Sequence, residues 1–246
     1  MTTEAVPRPL VVPGAHDRLF YGGMSIAMAV TVFVGFARTY YLGAYGTQHT
    51  ISGQPFRPIT HLHATLFTAW VLLFVVQTSL VAARRIRVHR TLGYAGAALA
   101  AAMIVVGPLA AIRSARGGSA PPGSDPLSFL AIPLGDITMF AIFVVPAILR
   151  RRDKETHKRL MIMASAMLMT APLARWPGVL GSGPFAFYGL TMLFVVAGIL
   201  YDLATRRRVH PVYVWGGVLA LLAVPLRLFA IGSPAFHRAM QLLVGG

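Results

Sequence analysis

The chain of 246 residues contains no cysteine. That excludes disulfides, thiolate-ligated haem, cysteine-held iron–sulfur clusters and covalent c-type haem attachment. Acids are almost as scarce: seven Asp and Glu stand against 22 Lys and Arg, a formal net charge of +15. Charged residues of both signs make up 12% of the chain, about half the share of a soluble domain. Also missing are a Walker phosphate loop, a G-x-S-x-G elbow, an H-E-x-x-H zinc helix and any carboxylate-rich metal motif. The first 18 residues are mixed and polar, without the apolar core or cleavage site of a secretory signal peptide.

What fills the chain is apolar sequence. It is 56% hydrophobic with mean hydropathy +0.67, and the apolar residues come in runs of about 20, the length that crosses a bilayer. Seven runs stand out, at 19–42, 62–83, 91–113, 127–149, 158–178, 185–205 and 212–232. The expectation is an all-α integral membrane protein. A cytoplasmic tail covers 1–18, a domain of seven transmembrane helices covers 19–233, and a short periplasmic segment covers 234–246, with no linker to mark a second domain.

A soluble protein this basic would suggest nucleic acid, but the positions of the cations argue otherwise. With the N-terminus cytoplasmic, fifteen Lys and Arg fall in inner segments, among them Arg84, Arg85, Arg87, Arg90 and the run Arg150–Arg152. Only Arg57, Arg113, Arg116 and Arg238 fall outside, and Arg38, Arg175 and Arg227 lie within spans. This is the positive-inside bias. The partner it implies is the anionic headgroup layer at the cytoplasmic face of a membrane, not nucleic acid.

Helices 2–7 read as three repeated hairpins. Each has an arginine-rich inner turn, a histidine opening the next helix, and Pro-Leu inside that helix: "RRIRVHRTLG" with Pro108-Leu109, "RRRDKETHKRLM" with Pro172-Leu173, and "RRRVHPVYVW" with Pro225-Leu226. A proline in a helix frees a carbonyl one turn back, so the helices are expected to kink in their outer halves and leave room for a cavity.

At about 1.5 Å of rise per residue, Arg38 lies about 30 Å up helix 1, Arg175 about 27 Å above His157, and Arg227 about 26 Å up helix 7. Helix 2 starts in that outer layer with His61 and His63, and Asp136 falls near the bilayer midplane. Ionisable groups within a span tend to face the bundle interior and mark function. Two readings stand: the arginines snorkel to the outer headgroups with Asp136 paired to one of them, or they line a chamber for an anion.

In "THLHATLF" Thr60 is placed to cap helix 2. His61 and His63 point about 200° apart if helical, so together they chelate a metal only from an extended segment; one of them turned inward suits an axial haem ligand. His16, His89, His157 and His210 sit at the inner helix starts, as neutral caps and headgroup contacts or, for His89 and His157, as ligands of something between helices 3 and 5. Asp202 pairs with the Arg206–Arg208 run in the simplest reading. Met161, Met163, Met167, Met169 and Met192 read as adaptable packing.

The segments "HLHATLFTAWVLLFVVQ", "RVHRTLGYAG", "ETHKRLMIMA" and "RVHPVYVWGG" resemble a family of uncharacterised bacterial polytopic membrane proteins, over nearly the whole chain from helix 1 onward. His157–Met161 is also similar to one helix of a small membrane-protein family containing a haem–copper oxidase assembly factor. The resemblances imply an inner-membrane protein near respiratory or haem metabolism and carry over no catalytic residue. A two-haem membrane cytochrome places paired histidines about four turns apart in one helix; here Gln77 stands where the partner of His61 or His63 would lie.

Three functions follow as expectations. The first is binding of an anionic cofactor or ligand, haem b foremost, in an outer chamber of His61 or His63 with Arg38, Arg175 and Arg227. The second is a non-catalytic accessory or assembly subunit of a respiratory membrane complex. The third is a small-solute transporter, suggested by broken helices and repeated hairpins.

Overall fold

The computed structural model describes residues 14–43, 53 and 55–245. Most of the expected tail, with Arg8, lies outside the described residues. Prolines start several helices, because a helix's first N–H has no partner to lose and the ring presets φ. The order is α1 (Ala15–Phe36, extended by a π-helical turn Ala37–Tyr41), α2 (Pro58–Ala82), α3 (Ile86–Arg116), α4 (Pro126–Phe129) and α5 (Ala131–Leu149). Then come α6 (Lys154–Met167), α7 (Thr170–Ala174), α8 (Pro184–Arg206), α9 (Pro211–Ile231) and α10 (Pro234–Gly245).

Among the described residues, six helical stretches are long and apolar enough to cross a membrane: His16–Tyr41, Pro58–Ala82, Ile86–Arg116, Pro126–Leu149, Pro184–Arg206 and Pro211–Ile231. They carry large apolar side chains on their outer faces, such as Leu72, Val105, Leu193, Leu221 and Phe229, a surface that suits lipid. The protein is a multi-pass, all-helical membrane protein.

The expected span 158–178 differs. It is a 14-residue helix, α6, followed by the five-residue α7. The break falls at Leu168 and Met169, one turn before Pro172, which has no N–H to give the Leu168 carbonyl. Pro108 and Pro225 are carried inside continuous helices, so the three Pro-Leu pairs have different local outcomes.

The α6 segment is the axis of the molecule. Leu160, Ile162, Met163, Ala164 and Ala166 are fully buried, and α1, α5, α8 and α9 pack around it. Trp70 of α2 donates from Nε1 to Ser165 at 3.3 Å and meets Phe140 edge-on at 5.1 Å.

At the α6 N-terminus, Asp153 caps the helix by accepting from Glu155 and Thr156 N–H groups. An ion network then joins three helices. Lys158 and Arg206 both reach Asp17 of α1, at 2.7 and 2.9 Å, and the Tyr201 hydroxyl donates to the same carboxylate. Arg159, wholly buried, makes a two-point contact with the equally buried Asp202 of α8. The turns 83–85, 150–153 and 207–210 lie at this basic end. His210 caps α9 by accepting from Val212 N–H at 3.2 Å. Burial, reinforced by the Arg159 charge, lowers its pKa below the usual imidazole value, which keeps it a neutral acceptor.

Candidate functional site

The opposite end of the bundle holds a cavity of about 300 Å3. Its walls come from the α1 end and π turn (Phe36, Thr39, Tyr40), from α2 (His63, Phe67) and α3 (Gly107, Ala111), and from α4–α5 (Phe129, Asp136) and α7 (Pro172, Arg175). The residues around the break line this space, Leu168, Thr170, Ala171 and Pro172 among them. The close approach of α1 to α7 depends on Gly35. A Cβ at that position would sit 2.3 Å from the Pro172 carbonyl oxygen, so only glycine allows the two backbones to meet.

His63 and Arg175 share this cavity. The His63 ring stacks on Phe67 with centroids 4.0 Å apart, and its Nδ1 is buried without a hydrogen-bond partner. The Thr39 hydroxyl is likewise buried and unbonded. Arg175 donates from Nη1 to the Ala171 carbonyl at 2.7 Å and lies over the Phe36 ring at 4.5 Å. A guanidinium has five N–H donors, so most of its capacity is unspent.

No acid among the described residues neutralises Arg175. Asp17, Glu155 and Asp202 are engaged in the network at the basic end. Asp153 is tied to Thr156 and Asp125 to His237. Asp136 faces the cavity but belongs to Arg227, whose Nη1 is 3.0 Å from Oδ1. That contact is close enough for an ion pair yet off the axis of a hydrogen bond, and both Asp136 Oδ1 and Arg227 Nη2 are left unbonded. Arg227 also packs over Tyr188 at 5.3 Å. It reaches Asp136 across Gly135, where a Cβ would meet Arg227 Nε at 2.2 Å.

The structure thus brings together His63, Arg175 and Asp136 and separates the rest of the expected chamber. Arg227 is buried behind the lining, held by Asp136. Arg38, on the π turn, is exposed. His61 packs against Tyr40 and Phe56 at centroid distances of 5.8 and 5.7 Å, outside the cavity. Because α2 starts at Pro58 with Arg57 as its cap residue, His61 and His63 are both helical and point apart, and Thr60 is not the cap. Among the described residues no three His, Asp or Glu side chains gather as a metal site.

His89 and His157 meet at the basic end, with ring centroids 6.5 Å apart and planes at 79°. The aromatic wall of the cavity, Phe36, Phe67 and Phe129, had no signal in the sequence that set it apart from ordinary lipid-facing residues. Nor did Arg159, counted among the basic turns yet fully buried; the lone carboxylate Asp202 on a neighbouring apolar helix was the available clue to it. Comparison with known proteins finds no matching family model, no similar curated protein and no similar solved structure.

Proposed function

We propose that this is a bacterial inner-membrane binding protein that holds an anionic, apolar-bodied ligand in the cavity lined by His63 and Arg175. In this reading the N-terminus is cytoplasmic, the broken α6–α7 segment makes a seventh crossing, and the cavity opens in the periplasmic half. The observation that carries it is Arg175: a guanidinium in an aromatic-walled cavity, with every described acid committed elsewhere. A lone cation in low dielectric is costly, and one negative charge on a ligand offsets that cost. The unbonded Nδ1 of His63 supplies a second polar contact, so that an oily body is oriented by two fixed groups.

A volume of about 300 Å3 is at the small end of the range for ligand pockets. It favours a single ring or a short chain bearing one acid over a macrocycle. Haem b in the same place would use His63 on iron and Arg175 on a propionate, and an absorption spectrum separates the two.

The test is mass spectrometry of small acids extracted from the detergent-purified protein, with a visible spectrum of the same sample. A small organic acid should co-purify with the wild type and with Arg38→Gln, and drop at least about tenfold in Arg175→Gln, the loss of one charge-assisted contact. Equal recovery from Arg175→Gln rejects the site. A haem absorption band lost in His63→Ala assigns haem instead of the small acid, and a sample with neither leaves the accessory-subunit reading in its place.

A further inference from the structure

One wall of the cavity is held far less firmly than the others. Where the chain passes from α3 to α5 the space is closed by α4, whose Pro126 and Phe129 line it together with Leu130, Ser114 and Ala115. At four residues α4 is a single turn, too short to hold its shape unaided. None of its residues is fully buried. The chain leads into it through Gly123, whose φ of +78° suits glycine and few other residues.

The support comes from α10, against which α4 packs more extensively than against any other helix. Joined to α9 by Gly232 and Ser233 alone, α10 turns back to pack on α3, α4 and α9. Two polar catches fix it. Near its N-terminus His237 donates from Nδ1 to Asp125 Oδ2 at 3.0 Å, the same oxygen that caps α4 by accepting from Ser128 N–H at 2.7 Å. His237 Nε2 is then the acceptor for the Gln241 amide at 3.2 Å, so the catch is complete with a neutral imidazole. Near the C-terminus Arg116, in the last turn of α3, donates from Nε to the Val244 carbonyl at 2.6 Å and from Nη2 to that of Leu243 at 3.5 Å. Carbonyls in a helix's last turn have no partner within the helix, and a cation suits that end of its dipole.

One end of α10 therefore grips the cap of α4, and the other grips the end of α3, the two elements that meet at this wall. The grip is light. None of the α10 side chains is fully buried, and the His237 and Asp125 side chains are 35% and 45% exposed. Partly exposed pairs of this kind contribute little each. Segments with few buried contacts and solvent-exposed hydrogen bonds are the ones that open without unfolding the rest. On the opposite side, α1 and α7 are in backbone contact at Gly35.

We propose that α10 is a strap that holds α4 closed over the cavity, and that lifting it opens the route by which molecules enter and leave. The inference rests on the cavity and its walls, not on what occupies it.

The lack of cysteine in the chain supplies the test. Ala111→Cys places one thiol on the cavity wall of the full-length, detergent-purified protein, and its rate of labelling by a small water-soluble maleimide is measured. Ala166→Cys, at a fully buried position of α6 that is not part of the cavity lining, reports general loosening. With the strap intact, labelling of Ala111→Cys should be slow. Adding Arg116→Gln or His237→Phe should raise it at least about fivefold, the scale of one modest hydrogen bond, and adding both should raise it further. Ala166→Cys should stay protected throughout. An unchanged rate at position 111 in the double variant overturns the proposal. So does a parallel rise at position 166, which would make α10 a general stabiliser, or a rate at 111 that already matches an unfolded chain with the strap intact. If the double variant does not fold, Arg116→Gln decides alone, because Arg116 is exposed and its replacement strands no buried charge. No ligand takes part, so the outcome is independent of whether an acid binds beside Arg175.

Discussion

At the residue scale, the two buried arginine–aspartate pairs differ in how well they are satisfied. Arg159 holds Asp202 at two points, and Asp202 also accepts from His210 N–H and Arg206. Arg227 and Asp136 are within 3.0 Å but leave unbonded atoms on both sides. The first pair has the geometry of a structural tie, the second of a group whose hydrogen bonding is incomplete beside a cavity. Removing one partner of a buried pair strands the other charge, at a cost of about 3–5 kcal/mol. Asp202→Ala should therefore lower the thermal unfolding midpoint in detergent by many degrees, and Arg159→Met combined with Asp202→Leu should recover most of the loss. A double variant as unstable as the single one would show that the network is needed for more than charge balance.

At the element scale, the α6–α7 break links sequence to site. Leu168 and Met169 leave the helix because Pro172 cannot bond one turn back, and Arg175, the residue that ends the short α7, lies on the cavity wall. The arrangement holds only because α1 approaches α7 at Gly35. Gly35→Ala forces a methyl into the Pro172 carbonyl, where neither backbone yields easily. Overpacking of this kind costs about 1–3 kcal/mol, and the separation of α1 from α7 should also weaken ligand retention. Gly22→Ala, on the same helix with no atom within 4 Å of the added Cβ, is the matched control. A midpoint for Gly35→Ala equal to that control would mean that α7 moves freely against α1.

At the scale of the whole molecule, the cavity end and the basic end are chemically distinct. One is a cavity whose guanidinium has no acid partner among the described residues; the other is rich in arginine around a closed ion network and an imidazole pair. The proposed orientation puts the basic end in the cytoplasm, where positive loops are retained. The absence of cysteine makes this simple to test, because one introduced thiol is the sole target of a membrane-impermeant maleimide. In intact cells Arg151→Cys should be protected and Ser124→Cys labelled; the opposite pattern would invert the topology and move the cavity to the cytoplasmic half.

Composition and run length alone determine that this is a multi-pass helical bundle, because lipid tolerates no other backbone for apolar stretches of that length. The scarcity of acids is equally plain in the sequence, and it leaves few possible partners for each buried cation. Local rules go as far as the break before Pro172, since a missing N–H acts within one turn. Tertiary structure decided the rest. Which arginine is neutralised depends on which helix faces which: Arg227 finds Asp136 across Gly135, Arg159 finds Asp202, and Arg175 finds no acid among the described residues. Helical period says only that His61 and His63 diverge; packing sends one to Tyr40 and Phe56 and the other to the cavity. Hydropathy cannot separate an apolar residue that faces lipid from one that faces a neighbouring helix, so the central place of α6 and the aromatic cavity wall emerge only when the helices are packed together.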